Sequence, residues 1–223
     1  MDLRTMSSGP ESRSPVRLRV AVDAMGGDHG PEEIVRGAMS WAIGHPEVDL
    51  LLVGDEARVR AHLDGPLPSH VRLVQASESV AMEEHPAAAV RRKRDASINV
   101  AMRLVRSGGA DAVVTAGHTG AGVASAILHL GRLRGVDRPA LAVQMVTDRG
   151  PFVFLDIGAT TDSSGLNLAQ YARMGAIYSA QVLGVAAHKA GKHAIGAGGE
   201  VNADHLRNGA QLLYYAAPNR AFE

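Results

Sequence analysis

Residues 111–128 read "DAVVTAGHTGAGVASAIL". A short apolar, β-branched run breaks at Gly117 and resumes from Thr119 as a helix of small residues. An apolar run of this length closed by glycine reads as a buried strand, and the segment after it has helical composition. Strand, glycine turn and helix together make the unit from which parallel α/β sheets are built. The break itself holds Gly117, His118, Thr119, Gly120 and Gly122, where a turn alone needs one or two such residues.

The same unit recurs on either side. "LRVAVDAM" (Leu18–Met25) is a strand followed by "GGDHGP" and a helix from about Glu32 to Gly44. "VDLLLVGD" is a second strand, ending at Gly54 and Asp55 where a short helix begins, and "VRLVQAS" is a third. After a polar stretch from Glu78 to Pro86, residues Ala87 through Arg106 are helix-prone. "ADAVVTAG" is the fourth strand, with its helix from Thr119 to about Leu133. "ALAVQMVT" and "FVFLDIG" flank "DRG" with the spacing of a β-hairpin, and Leu166 to Leu183 is helical. This alternation predicts a three-layer α/β/α fold whose mainly parallel sheet the hairpin makes partly mixed. No boundary is marked before Gly184. Past Val185 the sequence offers one weak strand and one helix. The expected organisation is a disordered tail over 1–16, an α/β domain over 17–185, and a divergent, incomplete segment over 186–223.

Composition narrows the chemistry. The 223 residues are 46% hydrophobic and 21% charged with a formal net charge of zero, so no global field draws the chain to nucleic acid or an acidic membrane. The absence of cysteine removes disulfides, thiolate nucleophiles and zinc–thiolate sites together. The opening "MDLRTMSSGPESRSPVR" is polar and lacks the apolar core of a signal peptide, and no apolar run is long enough to span a bilayer. A cytoplasmic location is expected.

In parallel sheets ligands collect where strand ends meet helix N-termini. Three such junctions here are rich in small or acidic residues: "DAMGGDHG", "TAGHTGAG" and "DIGATTDSSG". They make Gly26, Gly27, Asp28, His29, Gly117, Gly120, Asp156 and Thr160 candidate ligand-binding residues. Glycine lets the backbone approach a ligand, and the amides and dipole at a helix start favour an anion. Thr119 is suited both to cap its helix and to offer a hydroxyl, and Asp23 and Asp156 lie near strand ends. Any one junction also reads as a tight turn; three on one sheet edge point to a ligand. The P-loop pattern is absent, and "GHTGAG" lacks the acidic partner of a dinucleotide fingerprint. No histidine–carboxylate spacing suggests a metal. "VRRKRDAS" (Val90–Ser97) puts Arg91, Arg92, Lys93 and Arg94 together, as a solvated helix face or as an electropositive rim for phosphate or an acidic partner.

Taken together, "VAVDAMGGDHGP", "LLLVGDE", "AVRRKRDASI", "DAVVTAGHTGAGVASAILHLGRLRGVDRPALA", "FVFLDIGATTDSS" and "QYARMGAIYSAQVLGV" resemble one family in order from about Leu18 to Val185. It is the bacterial acyl-carrier-protein:phosphate acyltransferases of phospholipid synthesis, the PlsX family. His118 stands where that family usually has Asn or Ser, and Thr160 where it has Asn. Beyond Val185 the likeness thins, so the chain is expected to be a truncated or C-terminally divergent member.

The resemblance implies an isocitrate-dehydrogenase-like or phosphotransacetylase-like fold and the transfer of a fatty acyl group from acyl carrier protein to inorganic phosphate, without a cofactor. It implies His118, Thr119 and Asp23 as catalytic candidates, the junction residues as the phosphate and acyl site, and Arg91–Arg94 as a carrier-protein docking surface. Its implied partners are the carrier protein, phosphate, a downstream membrane acylglycerol-phosphate synthesis enzyme and a second copy of the chain, with peripheral membrane association in full-length relatives. Three alternatives stay open: a phosphotransacetylase-like activity on acyl-CoA, a remnant that binds phosphate or a partner without turnover, and a nucleotide-dependent oxidoreductase.

Overall fold

The computed structural model describes residues 17–147, 150–160, 163–184, 188–194 and 212–218. They divide after Gly131 into two units, at a position that the sequence reading passes without marking. The expected tail over 1–16 lies outside the described residues.

The first unit is built on four parallel strands: β1 (Arg19–Asp23), β2 (Asp49–Gly54), β3 (Val71–Gln75) and β4 (Ala112–Thr115), in the order β3-β2-β1-β4. Its helices are α1 (Glu32–Gly44), α2 (Glu56–Arg60), α3 (Pro86–Arg92), α4 (Ser97–Arg106) and α5 (Thr119–His129). Strand β2 shows why the sheet is covered on both sides. Leu50 and Leu52 enter one apolar cluster with Val35, Ala42 and Val59 of α1 and α2, and Leu51 and Val53 enter another with Val100 and Ala101 of α4. Every residue of "LLLVG" is therefore buried, which is the pattern of a strand between two helix layers. The edge strand β4 pairs with β1 in the register Val20↔Ala112 to Asp23↔Thr115. The sole tryptophan, Trp41 of α1, stacks on His45 with ring centres 4.0 Å apart.

Two helices end earlier than composition suggests. The expected helix over Ala87–Arg106 is two helices, because other groups satisfy the backbone at the break. The Asn99 side chain donates to the carbonyls of Val90 and Lys93 at 2.9 and 2.8 Å, closing the end of α3. The Asp95 carboxylate in the connecting turn accepts from the amide and hydroxyl of Ser77. Helix α5 stops at His129, short of Leu133, where Gly131 turns the chain with φ +79°.

The second unit holds β5 (Ala142–Thr147), β6 (Gly150–Leu155), α6 (Gly165–Gln181), β7 (His188–Ala194) and β8 (Leu212–Pro218). The predicted hairpin forms as β5 and β6, paired from Ala142↔Leu155 to Thr147↔Gly150. It does not extend the parallel sheet to make it mixed. It belongs to a separate antiparallel sheet in the order β5-β6-β8-β7. The tight turn dictates that β5 and β6 pair antiparallel, and the other neighbour of β6 is β8. Past Val185 the described residues form two strands, and β8 lies between β6 and β7 and hydrogen-bonds to both. The rest of the stretch in which the sequence offers a strand and a helix lies outside the described residues. Helix α6 begins with a capping box, Ser164 accepting from the Asn167 amide and Asn167 accepting from the Ser164 amide. Leu168 and Tyr171 pack it against Val153 and Leu155 of β6.

Candidate functional site

The ends of β1 and β4 lie side by side, so the loops that follow them meet. A Cβ placed on Gly26 would stand 2.8 Å from the Gly117 amide nitrogen and 3.0 Å from Gly117 Cα. One placed on Gly117 would stand 3.0 Å from Gly26 Cα. The two loops touch backbone to backbone, which only glycine permits on either side. Gly27 adds a positive φ of 89°.

A short chain of hydrogen bonds fixes this contact from beneath. Asp23, only 4% exposed, accepts on Oδ2 from the Thr115 hydroxyl at 2.8 Å, and Thr115 Oγ1 accepts from the Gly117 amide at 3.0 Å. Asp23 Oδ1 is buried and has no hydrogen-bond partner among the described residues. Asp23, Gly26, Ser97, Thr115, Gly117 and His118 border a void of about 10 Å³, room for about one water molecule. Asp23 is thus placed to hold Thr115, and through it the Gly117 loop.

His118 starts α5. Its Nδ1 accepts from the Gly120 amide at 3.1 Å, so it is His118 and not Thr119 that caps this helix. With Nδ1 accepting, the proton of the neutral ring is on Nε2, which makes no hydrogen bond among the described residues. Thr119 is the first residue of α5 and is exposed. Gly120 is pinned by its neighbours: a Cβ there would meet Pro86 Cγ at 2.9 Å. On the other loop Asp28 and His29 are exposed, and the His29 carbonyl accepts from the Glu33 amide. Among the described residues, the amides of Gly27, Asp28, His29, His118 and Thr119 donate to no protein group. Unpaired amides beside a helix start form an anion-binding arrangement.

Asp23, Gly26, Gly27, Asp28, His29, Gly117, His118, Thr119 and Gly120 therefore come together at two adjoining loops. Asp156 and Thr160 belong to the second unit. Asp156 is 2% exposed, and its carboxylate accepts from the amides of Leu141 (2.8 Å), Gly158 (3.3 Å), Ala159 (3.1 Å) and Thr160 (2.7 Å). It organises its own loop. Thr160 is buried beside the Tyr171 hydroxyl.

The basic run divides in two. Arg92 and Lys93 both reach Glu84 at 2.6 Å, and Lys93 also donates to the Ser79 carbonyl. The hydrogen bond from Lys93 is the largest cause holding the Glu84 carboxyl below its ordinary range. Arg91 and Arg94 are exposed and make no ion pair among the described residues. Sequence reading missed Thr115, whose hydroxyl joins Asp23 to the Gly117 loop. The spacing "T-A-G-H" at a strand end was the available sign. Among the described residues no three His, Asp or Glu side chains converge as they would around a metal ion.

The family model described as "Fatty acid synthesis protein" matches residues 18–222, continuing well past Val185, where the motif likeness thins. A protein named phosphate acyltransferase from Desulfitobacterium hafniense (strain Y51) is 46% identical over 202 residues, covering 90% of this chain and 60% of that protein. One of the same name from Gloeothece citriformis is 50% identical over 183 residues, covering 81% of this chain and 52% of the relative. Another, from Nostoc punctiforme, is 48% identical over 200 residues, covering 88% and 58%. The chain thus spans between half and three fifths of the length of these relatives. With a glycine-loop junction on a parallel sheet and a family match over nearly its whole length, this chain belongs to the fatty acid synthesis protein family.

Proposed function

We propose that the chain transfers a fatty acyl group from acyl carrier protein to inorganic phosphate, with the junction of the two glycine loops as the phosphate site. The observation that carries this reading is the contact of Gly26 with Gly117, fixed by Asp23 and Thr115, beside loop amides left free. In the reaction a phosphate oxygen attacks the thioester carbonyl carbon, forming a C–O bond. The C–S bond then breaks, and the carrier thiolate leaves and takes up a proton. Phosphate is itself a competent nucleophile, so the protein's work is to align the reactants and stabilise the developing oxyanion. The free amides would hold phosphate, the His118 Nε2–H and Thr119 hydroxyl would donate to it or to the oxyanion, and Asp23 would position the loop through Thr115.

The name these relatives carry supports a phosphate acyltransferase. A downstream membrane enzyme as recipient of the acyl phosphate, a homodimer and peripheral membrane contact are further parts of this reading. No helix among the described residues is long and apolar enough to cross a membrane. The test is acyl phosphate formation from acyl carrier protein thioester and phosphate by the chain and its Gly26→Ala variant. Turnover by the chain, reduced about a hundredfold or more in the variant as expected for a displacement near 1 Å, supports it. A folded chain that releases no carrier thiol in the presence of phosphate overturns it.

A further inference from the structure

Arg91 and Arg94, the two members of the basic run that Glu84 does not neutralise, line a cavity of about 550 Å³ together with Val90, Arg103, Leu128 and His129. Three arginines line it and, among the described residues, no carboxylate does. Of the three, Arg103 approaches Asp95 at 3.7 Å and donates its Nη1 to the Arg94 carbonyl at 2.6 Å. The imidazole adds little charge. Burial, with Arg103 and Arg106 nearby, holds His129 below its ordinary range. The floor is rigid, since Asn99 donates to Val90 and Lys93 and accepts from Ser125 at 2.7 Å and His129 at 3.2 Å.

The cavity's size and position narrow the anion. Its volume lies among those of small-molecule sites and exceeds the needs of a bare inorganic ion. Val90 and Leu128 add apolar wall beside the arginines. Helix α5 joins the cavity to the glycine loops: His118 caps one end and His129 closes the other, 11 residues and about 16 Å apart. Helix α3 lies along it, with Pro86 beside Gly120 and Val90 sharing the cavity with Leu128.

We propose that this cavity takes the phosphate of a phosphopantetheine thioester donor, whose arm runs along α3 and α5 to present its sulfur end at the His118 loop. The proposal rests on the acyl-transfer reading and deepens it by naming how the donor is held. The cations that matter are then Arg91, Arg94 and Arg103, while Arg92 and Lys93 serve the Glu84 anchor.

Binding of 4′-phosphopantetheine and of dephosphorylated pantetheine to the full chain, measured calorimetrically, tests it. The phosphorylated form should bind more tightly, and R91Q/R94Q should remove that preference, at roughly tenfold per guanidinium or about 1.4 kcal/mol each. R92Q should leave it unchanged, and unaltered Trp41 fluorescence would show that the variants are folded. Equal binding of the two ligands, or an R91Q/R94Q chain that still prefers the phosphorylated one, overturns the proposal. So does an R92Q chain that loses as much as R91Q/R94Q. Holo and apo carrier protein, with coenzyme A alongside, tell a carrier-borne arm from a free one. Because these readouts need no turnover, a chain that binds selectively but forms no acyl phosphate would refute the reaction and not the cavity.

Discussion

Replacing Thr115 with Val keeps the shape of the side chain and removes one hydroxyl, and the structure says what that hydroxyl does. It donates to Asp23 Oδ2 at 2.8 Å and accepts from the Gly117 amide at 3.0 Å. Asp23 is 4% exposed and its other oxygen already lacks a partner, so the variant leaves a buried carboxylate with no hydrogen bond among the described residues. A hydrogen bond to a charged group contributes about 1.5–3 kcal/mol, and a stranded neutral amide costs about 1–3 kcal/mol where water cannot reach it. Gly117 is partly exposed, so its share is small and a total of about 2–3 kcal/mol is expected. That is a large part of a domain's usual stability of about 5–15 kcal/mol. Urea unfolding followed by Trp41 fluorescence reads this directly, because the only tryptophan lies in the first unit. The double variant D23N/T115V should cost less than the two single changes together, with a coupling of about 1–2 kcal/mol. A T115V chain within about 0.5 kcal/mol of the parent, the range of an inert surface change, would refute the role given to this hydroxyl.

Two further outcomes follow from the helix cluster behind the loops. Asn99→Ala removes four hydrogen bonds at a buried position and should destabilise the first unit by about 3 kcal/mol, read as a fall in the urea midpoint; a change under about 1 kcal/mol would show that water replaces the side chain. Burial, with Arg103 and Arg106, lowers the pKa of His129 from 6.5 in the folded state. The groups around it are the cations Arg91, Arg94, Arg103 and Arg106 and the neutral Asn99. Its contribution to stability is therefore complete above pH 6.5 and is lost as the pH falls toward and through the lowered value, since the unfolded chain takes up the proton first. The urea midpoint of the parent should drop between pH 7.5 and 5.5 by more than that of H129Q, and equal drops would contradict it.

The parallel unit was legible because its signals are local. Strand β2 is an unbroken apolar run, α1 opens with Pro31 and two glutamates, and β1 and β2 close on Asp23 and Gly54. Breaks made by tertiary partners were not legible: nothing near residue 93 announces that Asn99 will take the carbonyls of α3. The hairpin was readable as a pair, but which sheet it joins depends on β8, about 60 residues downstream in sequence. At the site, the glycines stood out while Thr115 did not, for a threonine at a strand end is ordinary until its neighbour across the sheet is known. The basic run could be counted but not sorted, because Glu84 decides which cations stay free.

The pairing of β1 with β4 has a consequence for how the chain is made. Thr115 lies 92 residues after the Asp23 it must reach, and a ribosome adds about 5–20 residues per second. For about 5–20 s the nascent β1 has no fourth strand beside it, and the apolar side chains at that margin wait uncovered. The first unit therefore closes late in its own translation.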